Sequence, residues 1–195
     1  MDHLWTPWRY RYVTGAEHKE REDQRLGVPP ALSSYYTADL GCVFCNLLSS
    51  VETAIAKGMP AEEAERSGLI LHTYEYCFVC LNAYPYNNGH LMIVPYCHKD
   101  SLSAISPRAA HEMMQLAQFS DQALRKTYSP DGLNYGLNLG QAAGAGVAEH
   151  LHMHALPRWL GDTNFMTVTA ETRVLPEALD MTWQRLRQAF DEFLK

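Results

Sequence analysis

The segment EHLHMHALPRW, residues 149–159, places three histidines at strict two-residue spacing with apolar residues between them. Side chains on a β-strand alternate between its two faces, so His150, His152 and His154 would all point to one side. An apolar set would point to the other side: Leu151, Met153 and Ala155. An α-helix would scatter the imidazoles, because two residues turn it by about 200°. The spacing therefore predicts a strand that packs one face on a core and lines a site with the other.

Two kinds of chemistry use such an array of imidazoles. One is a metal site, and the other is a nucleophilic site in which one ring attacks and its neighbours fix its tautomer or donate hydrogen bonds. The alternative is a chance alternation in a solvated strand. The glycine-rich stretch QAAGAG, residues 141–146, favours a functional site, because backbone N–H groups in such a loop can hold an anion.

The size and charge of the chain exclude several classes of protein. Its 195 residues are 47% hydrophobic, which suits one soluble domain. The net charge is −6 and no long basic run occurs, so we do not expect a nucleic-acid binder, although a nucleotide substrate remains compatible. No apolar run is long enough to span a membrane, and the N-terminus lacks a secretory signal. We predict a cytoplasmic protein without a membrane partner.

Residues 14–40 are polar and turn-rich, so we predict an N-terminal extension over residues 1–40 and one domain over residues 41–195. Short apolar runs bounded by turn residues predict strands over residues 69–76, 78–85, 90–95, 133–140 and 148–159. The Asn87-Asn88-Gly89 triplet indicates a hairpin between the second and third of these strands.

Helical periodicity appears in four places. Residues 47–58 predict a short helix, and residues 60–68 predict a second short helix or a turn. Ser106 is a suitable N-cap, with Pro107 at the first position of a helix that ends near residues 129–132. The C-terminal helix carries one apolar stripe: Leu179, Trp183, Leu186, Phe190 and Leu194.

The chain has five cysteines, and an odd number in a cytosolic protein indicates free thiols or metal ligands rather than a disulfide framework. The pair Cys42 and Cys45 has the spacing of half a zinc site. Cys77 and Cys80 have the same spacing, but in a strand residues three apart face opposite sides. We therefore predict that Cys77 and Cys80 are buried core thiols.

The stretch from His150 to Leu156 resembles the signature of the histidine triad family of nucleotide hydrolases and transferases, in which three histidines alternate with apolar residues. Three upstream stretches, NAYP (82–85), GH (89–90) and IVP (93–95) with His98, are similar to the nucleotide-contacting hairpin of that family. NLG, residues 138–140, together with the glycine loop, resembles its phosphate loop. The resemblance implies an α+β fold: an antiparallel sheet of about five strands with helices packed beside it.

The flanks extend the likeness to most of the chain. LWTPWRYRYV (4–13) and GDTNFM (161–166) resemble the bacterial branch related to diadenosine tetraphosphate phosphorylases. This implies an enzyme that splits dinucleoside polyphosphates, with inorganic phosphate or water as the second reactant. Nucleoside phosphoramidate hydrolysis uses the same nucleophile and stays open. A nucleotide-binding module without catalysis is the alternative from another class. Family members pair their sheets, which implies a homodimer or homotetramer.

The resemblance also implies individual roles. His152 would attack the α-phosphorus and form a nucleotidyl-histidine intermediate, while His154 and His90 line the phosphate site. Asn82 would contact the ribose and Asn138 the phosphate chain, although asparagines also commonly cap turns. Three loop residues would hold phosphate oxygens: Gly144, Ala145 and Gly146. At Gly146 and the following valine, many relatives instead carry a polar pair, so any contact there must come from the backbone.

Zinc-bearing members of the family use two cysteines and two histidines. Transferred to this sequence, the ligands are Cys42, Cys45, His98 and His150. Such a set is tetrahedral and closed, so the zinc would be structural. The resemblance thus divides the triad: the first histidine binds metal, the second attacks phosphorus and the third supports the phosphate.

Overall fold

The computed structural model describes residues 27–162 and 177–193. It confirms the predicted α+β fold, with a five-stranded sheet in which every neighbouring pair is antiparallel. The strands are β1 (Ile70–Thr73), β2 (Cys77–Leu81), β3 (Leu91–Pro95), β4 (Gly132–Leu137) and β5 (Met153–Arg158). Their order across the sheet is β1-β2-β3-β5-β4, so the predicted histidine strand lies between β3 and the edge strand β4.

Within the described residues, four α-helices pack on this sheet: α1 (Val43–Ala56), α2 (Ala61–Ser67), α3 (Pro107–Tyr128) and α4 (Leu179–Phe193). The predicted N-cap of α3 is confirmed, because the Ser106 hydroxyl accepts a hydrogen bond of 3.1 Å from the Ala109 N–H. The helix ends as expected at Ser129, which adopts a left-handed conformation with φ 46°. No helix within the described residues is both long and apolar enough to cross a membrane.

The two faces of the sheet bury two separate apolar clusters. One face packs against α3 and α4, and it includes Leu151, Met153 and Ala155, as the alternation predicts. The other face packs against α1 and α2. The stripe of α4 is buried at Trp183, whose indole N–H also donates to the carbonyl of Ile70 over 2.8 Å. Leu194, the last predicted member of that stripe, lies outside the described residues.

The prediction for the second cysteine pair is confirmed. Cys77 belongs to the cluster on the α3 side and Cys80 to the cluster on the α1 side, and both are almost completely buried. Burial raises the pKa of each thiol to about 12. Both therefore remain protonated near neutral pH and behave as small apolar side chains.

Several predicted boundaries differ from the structure. Helix α1 begins at Val43 rather than at residue 47, and Cys42 is its N-cap. The second strand ends at Leu81 rather than at residue 85, because the Asn82 side chain accepts the Tyr84 N–H and turns the chain. The connection to β3 therefore covers residues 82–90 instead of a tight turn at 87–89.

The fifth strand also begins later than predicted, at Met153 rather than at residue 148. Its ladder with β3 runs only from the Leu91–Ala155 pair to the Ile93–Met153 pair. Before Met153, the backbone N–H of Leu151 bonds to the Lys99 carbonyl over 2.6 Å, outside that ladder. His150 and His152 therefore precede the strand.

Most of the predicted N-terminal extension lies outside the described residues. Its last part is not wholly irregular, because Pro30–Tyr35 form a 3₁₀-helix that buries Leu32 completely against the α1 side of the core. Residues 4–13, which carry part of the family likeness, lie outside the described part of the chain, as do residues 163–166 of the second flank. The domain boundary at residue 40 stays a prediction.

Candidate active site and metal centre

His152 is held by a hydrogen bond to the backbone of the segment just before β5. Its Nδ1 lies 2.8 Å from the carbonyl oxygen of His150. Because a carbonyl oxygen only accepts, Nδ1 must carry the hydrogen, and Nε2 keeps a lone pair. The side chain is 4% exposed, and burial lowers its pKa. The imidazole is therefore neutral near pH 7, with its unprotonated Nε2 available as a nucleophile.

A second hydrogen-bonded chain orients His154. The Tyr86 N–H donates to Nδ1 of His90 over 3.2 Å, so this nitrogen is an acceptor and His90 carries its hydrogen on Nε2. That Nε2 lies 2.9 Å from Nδ1 of His154 and donates to it. His154 therefore carries its own hydrogen on Nε2, where it can donate to a ligand.

Both members of this chain are neutral near pH 7. Burial, followed by the neighbouring imidazoles, lowers the pKa of His90 to about 3. Burial and His152 lower the pKa of His154 to about 4. A neutral imidazole donates one hydrogen and accepts another. Two of them can therefore form a relay, that is, a hydrogen-bonded chain that runs in one direction from the Tyr86 N–H through His90 to His154. Protonation of His90 or His154 would remove the acceptor and break it.

His152 and His154 are neighbours. The ring centroids of His152 and His154 are 4.9 Å apart, and the rings are nearly perpendicular at 79°. The ring that keeps a lone pair on Nε2 and the ring that carries an N–H there thus lie side by side. This arrangement suits attack on an electrophilic centre whose oxygen gains negative charge, since the N–H stabilises that charge as it develops.

The glycine loop uses several of its own amides internally. The Gly144 N–H bonds to the Gln141 carbonyl over 2.9 Å, and the Ala145 N–H bonds to the Gly140 carbonyl over 3.3 Å. Gly144 has φ 86°, which favours glycine at that position. Within the described residues, the Gly146 N–H makes no backbone hydrogen bond. Of the three predicted phosphate contacts, Gly146 is therefore the one whose amide is not used in a backbone hydrogen bond of the described residues.

The two predicted asparagines lie at the edges of the site. Asn82 begins the β2–β3 connection, and its amide nitrogen lies 3.3 Å from Nδ1 of His90. This contact supports the relay, whereas the predicted contact with a ribose stays a prediction. Asn138 follows Leu137, which pairs with Met153, so it ends β4 beside the triad. Its predicted contact with a phosphate chain also stays a prediction.

The four predicted metal ligands come together. Their donor atoms all lie within 4.8 Å of one another: Cys42, Cys45, His98 and His150. The Cys42 sulfur is 3.3 Å from Nδ1 of His150, and the Cys45 sulfur is 3.6 Å from Nδ1 of His98. In a tetrahedral zinc site, sulfur and nitrogen ligands are separated by about 3.6 Å. The donor set and its spacing therefore fit a closed tetrahedral metal ion.

The surroundings of this group also suit a metal. Nε2 of His150 donates to the Pro95 carbonyl over 2.8 Å, which leaves Nδ1 unprotonated and free to ligate. Burial and the neighbouring Cys42 raise the pKa of Cys45 to about 11 when no cation is present. A bound cation would stabilise the thiolates instead. Cys97, next to His98 in sequence, is exposed and does not belong to the group.

Two contributors were not identified from the sequence. Phe44 lies between the cysteines in the first turn of α1, and its ring is 5.4 Å from His150 and 5.1 Å from His152. It thus packs against both the metal centre and the nucleophile. Tyr86 orients His90 through its backbone, so side-chain patterns do not reveal it. The position of Phe44 inside the C-x-x-C motif was a usable signal.

Comparisons with known proteins agree with this geometry. Residues 63–159 match the HIT domain. The AP-4-A phosphorylase of Mycobacterium tuberculosis is 32% identical over 179 residues, covering 92% of this chain and 79% of that protein. An uncharacterised HIT-like protein of Mycoplasma pneumoniae is 25% identical over 154 residues, covering 79% and 95%.

Comparison with solved structures also finds a histidine triad family protein. The crystal structure of a Zn-bound histidine triad family protein from Mycobacterium smegmatis matches with a TM-score of 0.56 and 25% identity. The match covers 78% of this chain and 94% of that one. With the triad geometry, the domain match and the mycobacterial relative taken together, the chain belongs to the HIT, or histidine triad, family.

Proposed function

We propose that the protein is a nucleotidyl-transferring enzyme that splits diadenosine tetraphosphate with inorganic phosphate, giving ADP and ATP. The observation that carries the proposal is that two neighbouring histidines have complementary tautomers: His152 has an unprotonated Nε2, and His154 has an N–H that can donate. The Mycobacterium tuberculosis relative is called an AP-4-A phosphorylase, and its match covers most of this chain. It supports diadenosine tetraphosphate as the substrate and phosphate as the second reactant.

In the first step, Nε2 of His152 attacks the α-phosphorus. A nitrogen–phosphorus bond forms while the bond from that phosphorus to the bridging oxygen breaks, and ATP departs with the electron pair. The Nε2–H of His154 donates to a phosphate oxygen that gains charge, and the amide of Gly146 is placed to do the same. His152 keeps its hydrogen on Nδ1, so the attached imidazole carries a positive charge that makes it a good leaving group.

In the second step, an oxygen of inorganic phosphate attacks the same phosphorus. The nitrogen–phosphorus bond breaks, ADP forms and His152 returns to its neutral state. Water in place of phosphate would give AMP and make the enzyme a hydrolase. The Nδ1–H bond to the His150 carbonyl holds the ring in position through both steps, because a covalent nucleophile must attack and leave along one line.

Product analysis on diadenosine tetraphosphate tests the reaction directly. With inorganic phosphate we expect equal amounts of ADP and ATP, because phosphate resolves the adenylyl-histidine. Without phosphate we expect almost no turnover. AMP and ATP formed at the same rate in either condition would replace phosphorolysis with hydrolysis. Absence of turnover in both would reject this substrate and make phosphoramidates the next class to assay.

Replacement of the nucleophile tests the covalent mechanism. His152→Ala should lower kcat by at least about a thousandfold, because the intermediate can no longer form. The far-UV circular dichroism should show that the fold is retained, although the melting temperature should fall, because the buried carbonyl of His150 loses its partner. His111→Ala is the matched control, since His111 is an exposed histidine on α3 and should keep wild-type turnover. Activity retained in His152→Ala would remove His152 from the nucleophilic role.

We propose that the metal is zinc and that it is structural. The two cysteines lie at the start of α1, and His150 immediately precedes the reactive part of the triad. A four-ligand ion would fix the start of α1 to this segment and leave no open position for a substrate. A Zn-bound relative among the solved structures supports the choice of metal.

Metal analysis of the purified protein tests this site. We expect about one equivalent of zinc per chain, and less than about a tenth of an equivalent in Cys42→Ser, because hydroxyl is a poor zinc ligand. The melting temperature of Cys42→Ser should fall, since metal binding contributes to folding. Cys97→Ser is the control and should keep its zinc, because Cys97 is exposed and outside the group. Zinc-free wild-type protein would contradict the proposal.

We also propose a homodimer or homotetramer. Within the described residues, β4 pairs only with β5, so its outer edge presents unpaired backbone groups. Apolar side chains are exposed nearby: Tyr135 is 38% exposed and Leu139 41%. We further propose that residues 1–40 form an N-terminal extension and residues 41–195 a catalytic domain. The proposed location of the protein is the cytoplasm.

Light scattering measures the assembly. At micromolar concentration we expect a mass of two or four times the 22.1 kDa chain, because an exposed strand edge beside apolar side chains favours self-association. A monomer at that concentration would contradict the proposal.

A further inference from the structure

We propose that Tyr86 is a specificity-determining residue whose ring stacks on the base of the departing nucleotide. The inference rests on the proposed function, because only a substrate with two nucleosides presents a second base. Tyr86 would then allow the enzyme to prefer dinucleoside polyphosphates over nucleotides that carry a single nucleoside.

The ring lies next to the groups that contact phosphate. Its centroid is 4.8 Å from the ring of His90 and 6.2 Å from the ring of His154. The Tyr86 side chain is nevertheless 51% exposed, so much of its surface remains accessible to a ligand. His154, whose Nε2–H would bind the phosphate, therefore has an exposed aromatic ring near it, on the side that faces His90.

The loop that carries Tyr86 is fixed at several points. Asn87 donates from its amide to the Pro157 carbonyl over 3.2 Å and to the Asp162 carboxylate over 3.0 Å. Gly89 has φ 72°, and a Cβ there would lie 2.7 Å from the ring of Tyr128, so the loop packs closely on α3. A fixed loop holds the ring in place before the ligand arrives, which reduces the entropy lost on binding.

Beyond His154, the described part of the sheet is open. Gly136 pairs with His154 across the β4–β5 ladder, and a Cβ at Gly136 would meet no atom of the described residues within 4 Å. Leu156 lies on the same face as His154, two residues further along β5, and is only half-buried. An open strip of sheet with an apolar floor thus continues from the phosphate contacts, with Tyr86 on the adjoining loop.

The size of the expected effect follows from the strength of stacking. Contact between a base and an aromatic side chain changes affinity by about 5- to 150-fold on alanine substitution. Stacking needs the ring and not the hydroxyl, so Tyr86→Phe should retain it. The backbone hydrogen bond from Tyr86 to His90 is preserved in every variant at this position, which separates the effect of the ring from the orientation of the relay.

The test compares diadenosine tetraphosphate with adenosine 5′-tetraphosphate, which has the same phosphate chain and no second adenosine. We expect Tyr86→Ala to lower kcat/KM for diadenosine tetraphosphate by about 5- to 150-fold and to change kcat/KM for adenosine tetraphosphate by less than about threefold. Tyr86→Phe should match the wild type on both. Tyr84→Ala is the matched control, because Tyr84 lies on the same loop and is more exposed, at 67%.

Two results would overturn the inference. Equal losses on both substrates in Tyr86→Ala would mean that the ring supports His90 rather than a second base. Unchanged kcat/KM on both would mean that the ring contacts neither. Failure of the proposed function is a separate result, namely a wild-type enzyme that turns over neither compound.

In that case, binding of the same two compounds decides the inference. Isothermal titration of the wild-type protein should then show tighter binding of diadenosine tetraphosphate than of adenosine tetraphosphate, and Tyr86→Ala should remove the difference. Equal affinities of the wild type for both compounds would reject the role of Tyr86.

Discussion

His150 connects the proposed metal centre, the proposed nucleophile His152 and the sheet through three different groups. Its Nδ1 faces the Cys42 sulfur at 3.3 Å, its Nε2 donates to the Pro95 carbonyl, and its own carbonyl accepts the Nδ1–H of His152. The tautomer of the nucleophile therefore depends on the backbone of a residue that is itself held on both sides of its ring. A displacement of α1 would move Cys42 and so be transmitted through His150 to the reactive nitrogen.

Burial then determines the charge of the reactive histidines. His152 and His90 are almost completely buried, and transfer of a charged imidazole from water into such surroundings is unfavourable. Their pKa values are lowered, so they stay neutral near pH 7. The unfolded chain would take up these protons first as the pH falls below about 6.5, so this burial carries no protonation cost at neutral pH and destabilises the fold in acid. A neutral relay also has a direction, from the Tyr86 amide through His90 to His154.

Much of this arrangement follows from patterns along the sequence. The alternation of histidines with apolar residues predicts their separation onto two faces, and the structure places Leu151 in the core beneath the site. The same rule predicts correctly that Cys77 and Cys80 face opposite sides. The Ser106-Pro107 start of α3 is also confirmed, since capping is a local interaction between neighbouring residues.

The misplaced boundaries have a common physical origin. The alternation of histidines with apolar residues predicts a strand over residues 148–152. A strand forms, however, only where a neighbouring strand pairs with it through backbone hydrogen bonds. Pairing between β3 and β5 stops at Met153, and the N–H of Leu151 donates to the carbonyl of Lys99 instead. Likewise, the side chain of Asn82 ends β2 by accepting a hydrogen bond from the Tyr84 N–H. The spacing of apolar residues does not reveal this side-chain hydrogen bond.

The sequence by itself determined which residue types share a face and where helices are capped, because these depend on spacing and on neighbours a few positions away. The meeting of Cys45 with His98, and of His90 with His154, was decided only by the tertiary structure. So were the tautomers of His152 and His90, since each is set by a backbone group whose position depends on the folded chain. Spacing selects the side chains of a site, whereas distances and hydrogen positions between distant segments arise only when the sheet and helices pack.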